Sequence, residues 1–193
     1  MAPVAWGVVQ QAKAGYAECG DTWGLWQDGP RVLMLVADGL GSGAPAREAS
    51  ERAVRLVSQM RDEPLRRLLS LCDTALQGTR GAAVGLLAVD GDERRVSYAG
   101  VGNVEVRTGA TSRFKPVPTN GIVGANYREP KVFEQVYVPG EWVVMHSDGL
   151  KTRFDLDQEL RAAPGSAQDL ADRLAASFAR TGDDLTVLVC QLL

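Results

Sequence analysis

Five aspartates in this sequence stand where apolar runs begin or end. Asp21 opens the run Thr22-Trp23-Gly24-Leu25-Trp26, and Asp38-Gly39 closes Val32-Leu33-Met34-Leu35-Val36-Ala37. Asp148-Gly149 closes Trp142 to Ser147, while Asp183-Asp184 opens Leu185-Thr186-Val187-Leu188-Val189. Carboxylates at the ends of core strands converge when those strands are neighbours. An Asp-Gly pair after a strand is ordinarily a turn. Asp28-Gly29 and Asp90-Gly91 read that way, because strand patterns flank both. Asp38-Gly39 runs instead into a glycine-rich loop and a helical pattern, and Asp148-Gly149 into Leu150-Lys151-Thr152-Arg153. Two carboxylates ~4 Å apart repel by roughly 4 kcal/mol at an effective dielectric of ~20. A gathered set must therefore take up protons or bind cations. All-oxygen donors select magnesium or manganese, and two such ions acidify a shared water and clamp phosphoryl oxygens. The chemistry on offer is phosphomonoester hydrolysis.

The elements that would position these acids can be read from periodicity. Strand patterns cover Val4 to Val9, Thr22 to Trp26 and Arg31 to Ala37. The period then changes, with Ala46, Ala49, Ala53, Val57 and Met60 at helical spacing and Pro45 in the first turn. A second helix is expected from Pro64, carrying Leu65, Leu68, Leu69, Cys72 and Leu76 on one face. Strands return at Ala82 to Val89, Arg94 to Gly100, Val104 to Arg107, Lys131 to Val138 and Glu141 to Ser147. Ser166 and Asp169 predict a capping box for a helix bearing Leu170, Leu174 and Phe178, and Leu185 to Leu192 is a final strand. Hairpins outnumber βαβ units. The expected class is α+β, two packed antiparallel sheets flanked by helices, in a single domain over residues 1–193.

Composition narrows the alternatives. The chain has 193 residues, 45% hydrophobic and 23% charged, with 21 Lys and Arg against 24 Asp and Glu. No basic stripe is present, which argues against nucleic acid as a partner. No apolar run approaches the ~20 residues that span a bilayer, and the first residues lack a signal-peptide layout; a cytoplasmic protein is expected. Cys19, Cys72 and Cys190 have no metal or redox spacing and read as buried small hydrophobes. With His146 the only histidine, zinc sites and Ser-His-Asp triads lack their parts. A cysteine-phosphatase loop needs Arg six residues after Cys, where Gly78 follows Cys72. The segment Gly39-Leu40-Gly41-Ser42-Gly43-Ala44 fits a dinucleotide fingerprint. Asp38 beside it would repel a pyrophosphate, and Asp62 and Glu63 follow a helix rather than a second strand.

Taken together, these motifs resemble a known family. Val36-Ala37-Asp38-Gly39-Leu40-Gly41-Ser42-Gly43, Ser147-Asp148-Gly149-Leu150 and Asp183-Asp184-Leu185-Thr186-Val187 are similar to three motifs of the metal-dependent serine/threonine protein phosphatases, the protein phosphatase 2C-like superfamily. Gly20-Asp21 resembles the first motif of its bacterial sporulation-phosphatase (SpoIIE-type) branch, and Tyr98 to Asn103 and Gly121-Ile122-Val123-Gly124 match intermediate signatures. The resemblance implies a centre of two Mn2+ or Mg2+ ions, with Asp38 bridging both and the Gly39 carbonyl on one. It places Asp148 and Asp183 on the other ion, Asp21 acting through bound water, and Asp184 behind the ligands. A metal-bridging water would attack phosphoserine or phosphothreonine directly. Two departures are visible. Leu40 stands where the eukaryotic branch has His, and no counterpart of that branch's phosphate-binding Arg is evident, so phosphate affinity is expected to rest on the metals. His146 is expected to point away from Asp148 and to sit in the core. A free-standing catalytic domain of this length resembles the stressosome phosphatases of the branch, which implies phosphorylated STAS-domain proteins as substrates. The alternative is an inactive phosphoprotein-binding module on the same fold.

Overall fold

The computed structural model describes residues 3–109, 112–163 and 165–193. Among the described residues, nine strands form two antiparallel sheets. The five-stranded sheet has the order β2 (Asp21–Asp28), β3 (Arg31–Gly39), β4 (Ala82–Asp90), β5 (Arg95–Val101), β7 (Phe133–Val136). The four-stranded sheet has the order β1 (Val4–Gln11), β9 (Leu185–Leu192), β8 (Trp142–His146), β6 (Glu105–Thr108). Helices α1 (Ala44–Met60) and α2 (Leu65–Leu76) cover the first sheet, and α3 (Leu156–Ala162) and α4 (Ala167–Phe178) the second. The expected α+β sandwich is the observed one.

Alternation along the strands builds three apolar layers. Val32, Met34 and Val36 of β3 join Val143 and Met145 of β8 and Leu188, Cys190 and Leu192 of β9 between the sheets. Leu33, Leu35 and Ala37 turn to the other face, against Ala53, Val57, Leu68, Leu69 and Leu76 of the helices. Val144, Val187 and Val189 likewise meet Leu170, Ala171 and Leu174 of α4. The even-numbered face of β3 that fills the space between sheets ends in Asp38, so the sandwich interior opens onto carboxylates at this edge.

Local expectations fare well. Ser166 and Asp169 form the capping box that starts α4, and Pro45 lies in the first turn of α1. The β7 pattern expected over Lys131 to Val138 pairs only over Phe133–Val136, opposite Arg95 to Tyr98. The helix α3 begins after Asp155, whose side chain accepts from the Gln158 N–H. The proline- and glycine-marked segment from Ser112 to Tyr127 is tied down at several points. Ala82 and Val123 exchange backbone hydrogen bonds at 3.0 and 2.9 Å, and Gly124 N–H donates to Asp73 at 2.7 Å. No helix among the described residues is long and apolar enough to cross a membrane.

Candidate metal centre

Sheet register accounts for the first acidic contact. Asp21 begins β2 and stands directly opposite Asp38 near the end of β3. Opposed residues of an antiparallel pair point to the same face, ~4.5–5.5 Å apart at Cα, and like charges there repel. Asp21 is fully buried, and both its carboxylate oxygens lack a hydrogen-bond partner. The Ser147 and Thr186 hydroxyls beside it favour the ionised form without completing a hydrogen bond. Burial dominates: it pushes the Asp21 carboxyl up to about 7, helped by the charges of Asp184 and Asp148. Asp38 is pushed further, to about 9, by burial first and then by Asp21, Asp148 and Asp183.

The other sheet delivers its acids through one paired loop. Ser147 N–H donates to the Thr186 carbonyl (3.0 Å), and Thr186 N–H donates to the Ser147 hydroxyl (2.9 Å). The turn after β8 is thereby locked to the turn before β9, which places Asp148 beside Asp183. Close backbone approach needs glycine here: a Cβ on Gly149 would fall on the Asp184 carbonyl oxygen. Gly39 is under the same constraint against the Ala46 carbonyl of α1. Asp148 is raised above the ordinary carboxylate range by burial and by Asp183, while Asn103 and Arg180 pull it back. Asn103 donates from its side-chain amide to Asp148 Oδ2 at 2.6 Å.

Asp184 is 3% exposed and engaged in structure. Its Oδ1 accepts from Lys13 N–H (2.8 Å), its own N–H donates to Asp183 Oδ1 (3.0 Å), and its Oδ2 crowds Gly20. It anchors the loop between β1 and β2 that carries Asp21.

All five predicted aspartates therefore lie at one edge of the sandwich, linked by mutual charge effects. Among the described residues, no three His, Cys, Asp or Glu side chains close up as a ready one-ion cage. Magnesium ordinarily keeps several of its waters and takes one or two carboxylates from a protein, so an open acidic cluster suits it. The unpartnered oxygens of buried Asp21 are the observation that fits a cation best, since a buried carboxylate otherwise has a partner. His146 faces the helical layer, fully buried, with Nδ1 2.8 Å from the Ser147 carbonyl and its ring edge-on to Phe154. The three cysteines are free and buried, and burial followed by the charge of Asp21 lifts the Cys19 thiol to about 12, too high for a nucleophile. Sequence reasoning gave Asn103 no role; its signature Gly100-Val101-Gly102-Asn103 was visible, but its partner lies 45 residues away.

Two antiparallel sheets face to face, helices outside and acids at one edge define the protein phosphatase 2C-like class of fold. A crystal structure of RsbX in complex with magnesium superimposes with a TM-score of 0.89 at 29% identity, over 98% of this chain and 96% of that one. A structure solved in work on the bacterial stressosome, as a modular system adapted to control secondary messenger signalling, gives a TM-score of 0.91 at 28% identity, over 97% and 99% of the two chains. In sequence, the chain is 29% identical over 187 residues to the phosphoserine phosphatase RsbX of Bacillus subtilis (strain 168), covering 96% of this chain and 93% of that protein. The family model for stage II sporulation protein E (SpoIIE) matches residues 28–193, and the chain belongs to that family.

Proposed function

We propose that this protein is a manganese- or magnesium-dependent phosphatase that hydrolyses phosphoserine and phosphothreonine in stressosome proteins, with phosphorylated STAS domains as the substrates, in the cytoplasm. The observation that carries the reading is the cross-strand pair of buried Asp21 and half-buried Asp38 meeting Asp148 and Asp183 from the second sheet. Likeness to RsbX over nearly the whole chain supports the substrate class.

Asp38 would hold both ions and the Gly39 carbonyl one of them. Asp148 and Asp183 would hold the other, and Asp21 would act through bound water. When bound, the ions supply Lewis acidity to the phosphoryl group and acidify a shared water. Asn103 keeps the Asp148 carboxylate aimed, and Asp184 keeps the Asp21 loop in place. Leu40 offers no proton, and His146 faces the helices, so the leaving oxygen takes its proton from solvent.

The test is phosphate release from a phosphoserine STAS protein. It should require manganese or magnesium, stop with a chelator, and fall by about 100-fold or more in Asp38→Asn, as for loss of a group stabilising developing charge. Tight phosphoprotein binding without turnover in saturating manganese would instead identify an inactive binding module.

A further inference from the structure

Two arginines stand on loops beside the acidic residues, Arg180 between α4 and β9 and Arg80 between α2 and β4. Arg180 leads into β9. Its N–H donates to the Gly149 carbonyl at 2.8 Å, and the neighbouring Ala179 bridges Leu150. It is thereby fixed beside the Asp148-Gly149 loop, where its charge acts on Asp148. Arg80 leads into β4. The adjoining Gly81 carbonyl accepts from Leu40 N–H at 3.0 Å, and Arg80 Nη1 lies 2.5 Å from the point a Cβ on Gly41 would occupy. The guanidinium thus rests on the loop three residues beyond Asp38, over a residue at φ +97°.

Both side chains are exposed, and among the described residues neither has an ion pair or a side-chain hydrogen bond. The arginines of α1 behave differently: Arg47, Arg52 and Arg55 are each matched by Glu48 or Glu51 one turn away. A free guanidinium presents a planar fork that suits phosphate oxygens. A phosphorylated side chain brings a charge of about −2 toward an edge lined with carboxylates, and cations at the rim offset that repulsion.

We propose that Arg180 and Arg80 bracket the phosphorylated side chain of the substrate, supplying from this chain the phosphate contacts that its first motif lacks. The proposal rests on the phosphatase reading and adds to it two residues that hold substrate rather than metal.

Four variants of the manganese-loaded protein test this on a phosphoserine peptide: Arg180→Gln, Arg180→Lys, Arg80→Gln and, as a remote control, Arg52→Gln. Arg180→Gln and Arg80→Gln should each raise KM about 10-fold or more, the loss of one charge-assisted hydrogen bond, with a smaller change in kcat. Arg180→Lys should recover part of the loss, and Arg52→Gln should match the wild type. Manganese affinity, measured by calorimetry, should stay equal or tighten in Arg180→Gln, because a neighbouring positive charge has gone. Weaker manganese binding alongside weaker substrate binding would mean a structural role and overturn the proposal, as would KM values within twofold of the wild type. If the wild type releases no phosphate, the phosphatase reading fails separately. The arginines are then judged by calorimetric titration of the same peptide, where unchanged affinity in Arg180→Gln overturns their role and about 10-fold weaker affinity supports it.

Discussion

Replacing Asp21 with asparagine should make the metal-free protein more stable at alkaline pH, against the usual outcome for a buried polar residue. The native Asp21 carboxyl titrates at about 7 instead of 3.8 because burial disfavours its charge. Between those values the native state holds a proton that the unfolded chain has released. Stability contributed by the protonated form is therefore lost as pH rises through this window. From about pH 5 to about pH 8 the carboxyl crosses roughly two pH units of it, or ~3 kcal/mol at 1.36 kcal/mol per unit. For a chain of this size, ~3 kcal/mol corresponds to roughly 6–12 °C in melting temperature. Asp38 adds a fall in the same direction up to about 9, and part of its own shift comes from Asp21. Urea or thermal unfolding in chelator at both pH values should show the wild type losing at least this much more stability than Asp21→Asn. Manganese should restore the wild type at the higher pH and the variant less. Parallel pH profiles for the two proteins would refute the assignment of a buried, unneutralised carboxylate at this position.

Three further outcomes follow from the geometry. Gly149→Ala should destabilise by about 1–3 kcal/mol or more in chemical denaturation, because its Cβ would meet the Asp184 carbonyl; an unchanged midpoint would contradict the close approach. Asn103→Ala should weaken manganese binding by about 10- to 100-fold, the usual cost of removing a group that orients a ligand, as read by calorimetry. His146→Phe should leave the pH dependence of kcat unchanged, since the imidazole is buried toward the helices; a lost acidic or basic limb would implicate it in proton transfer.

The layers were legible because β3, β8 and β9 read as apolar runs and α1, α2 and α4 carry apolar faces at helical spacing. Such strong periodicity leaves few alternatives. The acids were legible by position: each abuts a strand whose course the sequence declares. That Asp21 would stand opposite Asp38 was not, because register depends on how the Asp28-Gly29 turn sets the pairing. The shortness of β7 escaped notice for a related reason, as pairing is limited by what β5 offers and not by its own composition. The anchoring of the Ser112 to Tyr127 segment was not legible, because its partners, Ala82 and Asp73, lie far back in the chain. Asn103 and Arg180 escaped for the same cause. An exposed polar residue acquires meaning only from the neighbour that folding gives it, and here that neighbour is Asp148.

The most direct test is a crystal soaked in manganese, with anomalous scattering recorded at the manganese edge. Two peaks among Asp38, Asp148 and Asp183, one of them near the Gly39 carbonyl, are the expected result. Manganese bound elsewhere, with that acidic edge left vacant and its aspartates unmoved, would contradict the account.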